Sequence, residues 1–210
     1  MRLDHLVYAT PDLDATVAEL ERRLGVRTAE GGRHPGLGTR NRLVGLGGRS
    51  YLEVIGPDPE QRAPAGPRPF LIDELTEATL VTWAIAVEDI DAAVAAARAR
   101  GYDPGEPRDM SRRTPSGDLL AWRLTPPQRA GLVPFLIGWG AARHPTENDL
   151  PQAELVSLTL AAPDVEPLRA DLAAVGVTDA RLAREAAPRL VAVLAGRYGN
   201  VTLGGSGLQP

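Results

Sequence analysis

The chain has 210 residues, 43% of them hydrophobic and 24% charged, with a net charge of −4. That balance suits a soluble globular protein and argues against nucleic acid as a partner, because phosphate binding needs a basic field. There is no cysteine, and all 23 basic residues are arginine, which excludes disulfides, zinc–thiolate sites, thiol nucleophiles and a Schiff-base lysine.

Residues 3–9 alternate and are rich enough in β-branched and aromatic side chains for a strand. Asp12 can cap the helix that follows, in which Leu13, Val17, Leu20 and Leu24 recur at helical spacing and Gly25 supplies the stop. Residues 27–38 read as a Gly-rich loop, with a short strand around 26–29. Two strands follow at 41–46 and 50–55, joined through Gly47-Gly48, a strong hairpin signal. Residues 1–57 therefore form a βαβββ module. Pro57, Pro59, Pro64, Pro67 and Pro69 mark an irregular linker, and 70–75 a short helical piece. A second module, 78–140, reads as a strand to Val87, a helix over 89–100, and strands near 108–112, 118–124 and 132–139. After a polar linker at 141–151 comes a third, partial module, 152–206. It has a strand at 154–160, a helix at 164–175, short strands near 182–184, 189–194 and 201–203, and Gly199-Asn200 as its last turn.

One phrase ties the modules together. Thr10-Pro11-Asp12-Leu13-Asp14 recurs as Val87-Glu88-Asp89-Ile90-Asp91 and as Ala162-Pro163-Asp164-Val165-Glu166. The spacing is 77 and then 75 residues (89−12 and 164−89), and each copy opens a helix that ends at a glycine. The fold class is α+β, with two full βαβββ modules and a third, shorter copy. One such module leaves a sheet face unburied, so two sheets are expected to curve around a shared cavity as a half-barrel. The third then extends the sheet layer or closes the cavity.

Alternation says what looks inward. His5, Val7 and Ala9 share one face of the first strand, and Tyr51, Glu53 and Ile55 share one face of the fourth. The apolar Leu6, Tyr8, Leu52 and Val54 suit the helix side. His5 and Glu53 then project into the cavity together, as a divalent-metal half-site or as a base with its partner. A buried glutamate needs such a partner; Arg42 and Arg123 are alternatives to His5.

The phrases Leu3-Asp4-His5-Leu6-Val7-Tyr8, Pro11-Asp12-Leu13 and Tyr51-Leu52-Glu53-Val54-Ile55-Gly56 resemble the vicinal oxygen chelate superfamily. Within it the chain is most similar to the glyoxalase-like domain proteins, through Gly31 to Asn41, Gly117 to Trp122, and Pro134-Phe135-Leu136-Ile137 with Trp139. The resemblance implies metal ligands from the first and last strands of both modules. His5 and Glu53 match the first pair. Thr82 and Phe135 fall at the second pair, and neither is a credible ligand, so His34 is the reserve.

The substrate-contacting candidates are His34, as a lid residue on the Gly-rich loop, and Asn41 at a strand start. Arg112 is added as a strand-end binder of a carboxylate, and Trp122 and Trp139 as pocket walls. His144-Pro145 reads as structural. The Gly-rich stretch is neither a P-loop nor a dinucleotide fingerprint, so no nucleotide cofactor is expected. No apolar run reaches a membrane span and no signal peptide precedes Leu3, so a cytoplasmic protein without membrane partners is expected.

Two functions stay open. One is a metal-assisted lyase, isomerase or dioxygenase acting on a small oxygen-bearing metabolite, with His5 and Glu53 holding the ion or Glu53 serving as base. The other is a metal-free protein that binds and sequesters a small molecule. Either is compatible with a homodimer.

Overall fold

The computed structural model describes residues 3–114 and 116–206. All three acidic phrases cap helices. Asp12 accepts from the Ala15 N–H at 3.0 Å, Asp89 from Ala92 at 2.9 Å and Asp164 from Glu166 at 3.2 Å. Gly25 ends the first helix at φ 65°, a left-handed conformation that favours glycine.

The first unit runs β1 (Leu3–Ala9), α1 (Leu13–Leu24), β2 (Ala29–His34), β3 (Thr39–Gly45), β4 (Tyr51–Pro57). The second runs β5 (Thr79–Ala86), α2 (Ile90–Ala99), β6 (Arg108–Arg113), β7 (Leu119–Leu124), β8 (Phe135–Gly138). The third runs β9 (Glu154–Ala162), α3 (Val165–Ala174), β10 (Arg181–Arg184), β11 (Arg189–Gly196), β12 (Gly199–Ser206). A 3-10 segment, Pro69–Glu74, bridges the first two.

The first eight strands form a closed barrel in the order β1-β4-β3-β2-β6-β7-β8-β5 rather than the expected half-barrel. Each unit contributes its strands in the same order, so two seams join them. The β1–β5 seam is a long antiparallel pairing from Leu3↔Ile85 to Ala9↔Thr79. The β2–β6 seam is a single pair, Arg33↔Arg113. That seam corrects the reading of 27–38 as a loop. Residues 29–34 are a strand, and the turn is confined to Pro35-Gly36-Leu37-Gly38, where Gly36 and Gly38 adopt φ 76° and 62°. Gly32 sits in the seam at φ 149°, and a Cβ there would lie 2.0 Å from the Arg113 carbonyl oxygen. The glycines that made this stretch look like a loop are what let two strands approach. At the next hairpin, Pro115 lies outside the described residues.

The third unit forms its own four-stranded sheet, β10-β9-β11-β12. It packs on the outside of the barrel against β5 and α1. Its last turn is Arg197-Tyr198, since Gly199 and Asn200 already pair with Gly196 and Ala195. Leu160, Leu190, Leu194 and Leu203 join one continuous core with Leu6, Leu52 and Val54 of the barrel and Leu13, Leu20 and Leu24 of α1. The predicted facing of β1 and β4 is therefore seen. A second cluster, with Val7, Ala9, Ile55, Val81 and Phe135, lines the barrel interior.

Replacing Gly32 with alanine puts a methyl group into a backbone carbonyl at the narrower seam. Gly32→Ala is expected to destabilise the fold by about 2–4 kcal/mol, read as a fall in the urea midpoint at unchanged slope.

Candidate active site

The barrel, together with residues around the start of α3, lines a partly open cavity of about 860 Å³. His5, Glu53, Asn41, His34, Arg112, Trp122 and Trp139 all line it, so every residue singled out for a site is brought to one hollow. His34 arrives from the end of β2, not from a lid.

His5 and Tyr51 are register partners on β1 and β4. Their rings stack at 4.8 Å, and the edge of Phe135 closes on the imidazole at 5.4 Å. Only the ring nitrogens stay free to bond. Nδ1 lies 2.6 Å from Asp4 Oδ1. Alternation would send Asp4 to the opposite face. Pairing against β5, however, steps from Leu3↔Ile85 to His5↔Ala84, so Asp4 is the extra residue of a bulge, and bulges re-aim side chains.

Asp4 is 1% exposed and also accepts from Trp139 Nε1 at 2.9 Å and His144 Nε2 at 3.2 Å. His144 Nδ1 accepts from the Thr146 N–H, which leaves its proton on Nε2. Burial opposes the charge on Asp4. The hydrogen bonds from His144 and His5, the attraction of His5 and the Trp139 bond outweigh it, and hold the carboxyl well below the usual range. An ionised Asp4 only accepts, so His5 Nδ1 donates to it and a neutral His5 presents its Nε2 lone pair to the cavity.

Glu53 sits on the same wall. The Asn41 side-chain N–H donates to Oε1, which leaves Oε2 facing His5 Nε2 at 3.8 Å. That gap is too long for a hydrogen bond, so both atoms are available to a bound molecule. His34 Nε2 is 4.0 Å from Glu53 Oε1, and His34 Nδ1 bonds Thr39 Oγ1 at 3.0 Å. Burial lowers the proton affinity of His34, against the pull of Glu53, and favours the neutral ring. Arg42 and Arg123 are engaged elsewhere, on Thr28 and Asp91. The Trp122 and Trp139 rings lie 5.4 Å apart, with Trp139 on the Asp4 network and Trp122 beside His34.

A divalent ion needs several converging donors. The expected pair, His5 and Glu53, is brought together, but one Glu53 oxygen is taken by Asn41. The second unit offers Phe135 against the imidazole, and Arg112 brings its own positive charge to the same hollow. Among the described residues no three histidine, aspartate or glutamate side chains are placed to hold a metal. The donor set does not fit a resident divalent ion.

Asp4 is the site residue that sequence reasoning missed. The available signal was an acid in an otherwise apolar strand. His144, read as structural, is 1% exposed and belongs to the same network.

The chain belongs to the glyoxalase-like domain family, whose model matches residues 3–176. No curated protein matches the chain. Among solved structures, a hypothetical protein from Staphylococcus aureus is similar over 98% of this chain and 85% of its own, at TM-score 0.62 and 13% identity. A methylmalonyl-CoA epimerase from Mycobacterium tuberculosis overlaps 68% of this chain and 89% of its own, at TM-score 0.45 and 20% identity. A Streptomyces coelicolor methylmalonyl-CoA epimerase in complex with 2-nitronate-propionyl-CoA overlaps 69% and 99%, at TM-score 0.46 and 25% identity.

Two outcomes follow from the geometry. Asp4 ionises more readily in the folded chain than in the unfolded one. Its contribution is therefore complete above the unfolded value near ~3.9 and fades as pH falls towards the folded value. Asp4→Asn turns an NH2 towards N–H donors and is expected to cost about 2–4 kcal/mol at neutral pH, a gap that narrows below about pH 4 in chemical denaturation. Dialysis against a chelator should leave the melting temperature within about 1 °C, and stoichiometric manganese, nickel or zinc should not raise it further.

Proposed function

We propose that the protein is an enzyme that moves a proton on a small carbonyl-bearing metabolite, with Glu53 as general base and His5 as its acid–base partner. The observation that carries this reading is the pairing of two supported groups with free atoms 3.8 Å apart at the polar wall of the cavity. Glu53 Oε2 is the oxygen left free when Asn41 holds Oε1. His5 Nε2 is aimed by the Asp4 bond and clamped between Tyr51 and Phe135. When Oε2 takes a proton from the carbon beside the carbonyl, an imidazolium His5 gives its Nε2 proton to the enolate oxygen, and the neutral ring takes it back as Glu53 returns a proton to carbon. Asp4 stays ionised and stabilises the imidazolium whenever His5 holds the second proton. Such acid–base assistance contributes about 10²–10⁴-fold to a rate.

A second reading, sequestration of a small molecule without chemistry, draws on the apolar part of the lining, where Met110, Trp122, Leu124, Phe135 and Ile137 offer shape but no reacting group.

Deuterium uptake separates them. A panel of 2-oxo acids, hydroxyketones and acyl thioesters is incubated with the protein in D2O, and mass spectrometry reads label at the carbon beside the carbonyl. Catalysed uptake that falls about 100-fold or more in Glu53→Gln supports the enzyme. Compounds that raise the melting temperature yet take up no deuterium support sequestration.

A further inference from the structure

We propose that Arg112 anchors a carboxylate, so that the cavity's ligand is an amphipathic monocarboxylate with its head on Arg112 and an apolar body reaching Phe70 and Leu71. This rests on the cavity being a ligand site, as in either reading above, and not on proton transfer.

Arg112 lies on β6 and is 5% exposed, yet it lines the cavity. Its Nη1 is buried and without a hydrogen-bond partner among the described residues. No carboxylate of the described residues lies within ion-pair distance of it. Glu53 and Tyr51 are the acidic groups that share its surroundings, and Glu53 is already held by Asn41. Buried charges are ordinarily paired, because an unpaired one costs several kcal/mol.

The backbone makes room for this arrangement. A Cβ on Gly32 would fall 2.9 Å from Arg112 Nη1, so glycine stands where the guanidinium passes β2. A cation buried beside a space, with no carboxylate of the described residues paired to it, is completed by an anion in that space.

The charge balance narrows the class. One guanidinium fork matches one carboxylate in bidentate geometry. A dianionic phosphate would bring its second charge towards Glu53.

The remainder of the ligand is apolar and sizeable. A cavity of about 860 Å³ lies towards the upper end of small-molecule pockets. Phe70 and Leu71 border it in consecutive left-handed conformations, φ 60° and 53°. Such positions cost non-glycine residues about 1–3 kcal/mol each and cluster at ligand clamps. Leu132 and Leu168 continue the apolar lining.

Isothermal titration of the full chain with octanoate, octanamide and the shorter acids down to butyrate tests both halves. Octanoate is expected to bind at least about tenfold tighter than octanamide, and affinity to rise about threefold to fourfold per added methylene. Arg112→Gln should remove the preference for the acid while octanamide binding is kept. Arg112→Lys, which keeps the charge, should retain part of the preference and carries the test if the glutamine variant does not fold. Octanoate bound no better than octanamide, no binding at millimolar octanoate, a preference unchanged in Arg112→Gln, or a flat chain-length series each overturns the proposal.

The two proposals fail separately. Glu53→Gln with deuterium uptake intact sinks the proton-transfer reading and leaves the anchor. An unchanged acid preference in Arg112→Gln alongside Glu53-dependent uptake sinks the anchor alone.

Discussion

A single buried carboxylate organises the polar end of the barrel. Asp4 receives N–H donors from β1, from the end of the second unit and from the linker beyond it, through His5, Trp139 and His144. Hydrogen bonds to a charged group contribute about 1.5–3 kcal/mol each, and three of them offset a desolvation cost of several kcal/mol. The group therefore stays ionised where an unpaired acid would be neutral. Its charge fixes the proton on His5 Nδ1, its position fixes the ring plane, and its reach ties residues 139–144 to the first strand. The free Nε2 of His5 is a consequence of that arrangement.

The two units have the same strand order but fill the barrel differently. The first unit supplies His5, Asn41 and Glu53; the second supplies Phe135, Ile137, Leu124 and Trp122 at its corresponding walls. Arg112 is the exception on the second side, and it is the group whose donor is left over. The result is a hollow in which His5, Asn41 and Glu53 come from the first unit, and the second unit adds one cation and apolar side chains packed directly against them. The same strand order in both units gives the barrel, and the differences between them give a lining whose polar groups come mainly from one unit and whose apolar groups come mainly from the other.

The elements were largely legible because local physics writes them. The Asp caps, the helical stripe of Leu13, Leu20 and Leu24, and the period-2 facing that paired His5 with Glu53 all survive in the structure. What failed has a common cause. Gly31 and Gly32 read as loop because glycine lacks strand propensity, yet the close approach of Gly31 to the Asn41 side chain and of Gly32 to the Arg113 carbonyl at the seam is a tertiary demand that propensity cannot encode. Asp4 went unnoticed because alternation along an unbroken ladder would set it on the face away from His5, and a bulge against β5, invisible in β1 alone, brings it to the imidazole. The closed barrel itself depends on one pair of arginines 80 positions apart (113−33), beyond the reach of any local pattern.

The third sheet acts on this hollow at one remove. Its strands β11 and β12 cover the outer face of β5. Trp83 on β5 is fully buried and donates its indole N–H to the Leu132 carbonyl at 3.0 Å. Gly131, beside it, lies so close to the Val81 carbonyl that a Cβ there would approach to 1.9 Å. Residues 130–132 border the cavity, as do Asp164, Pro167 and Leu168 at the start of α3. Packing on the far side of β5 thus holds the strand, the strand holds the loop, and the loop forms part of the cavity wall. Because interiors are close-packed and transmit strain, a sheet that supplies none of His5, Asn41, Glu53 and Arg112 still helps set the shape of the cavity they line.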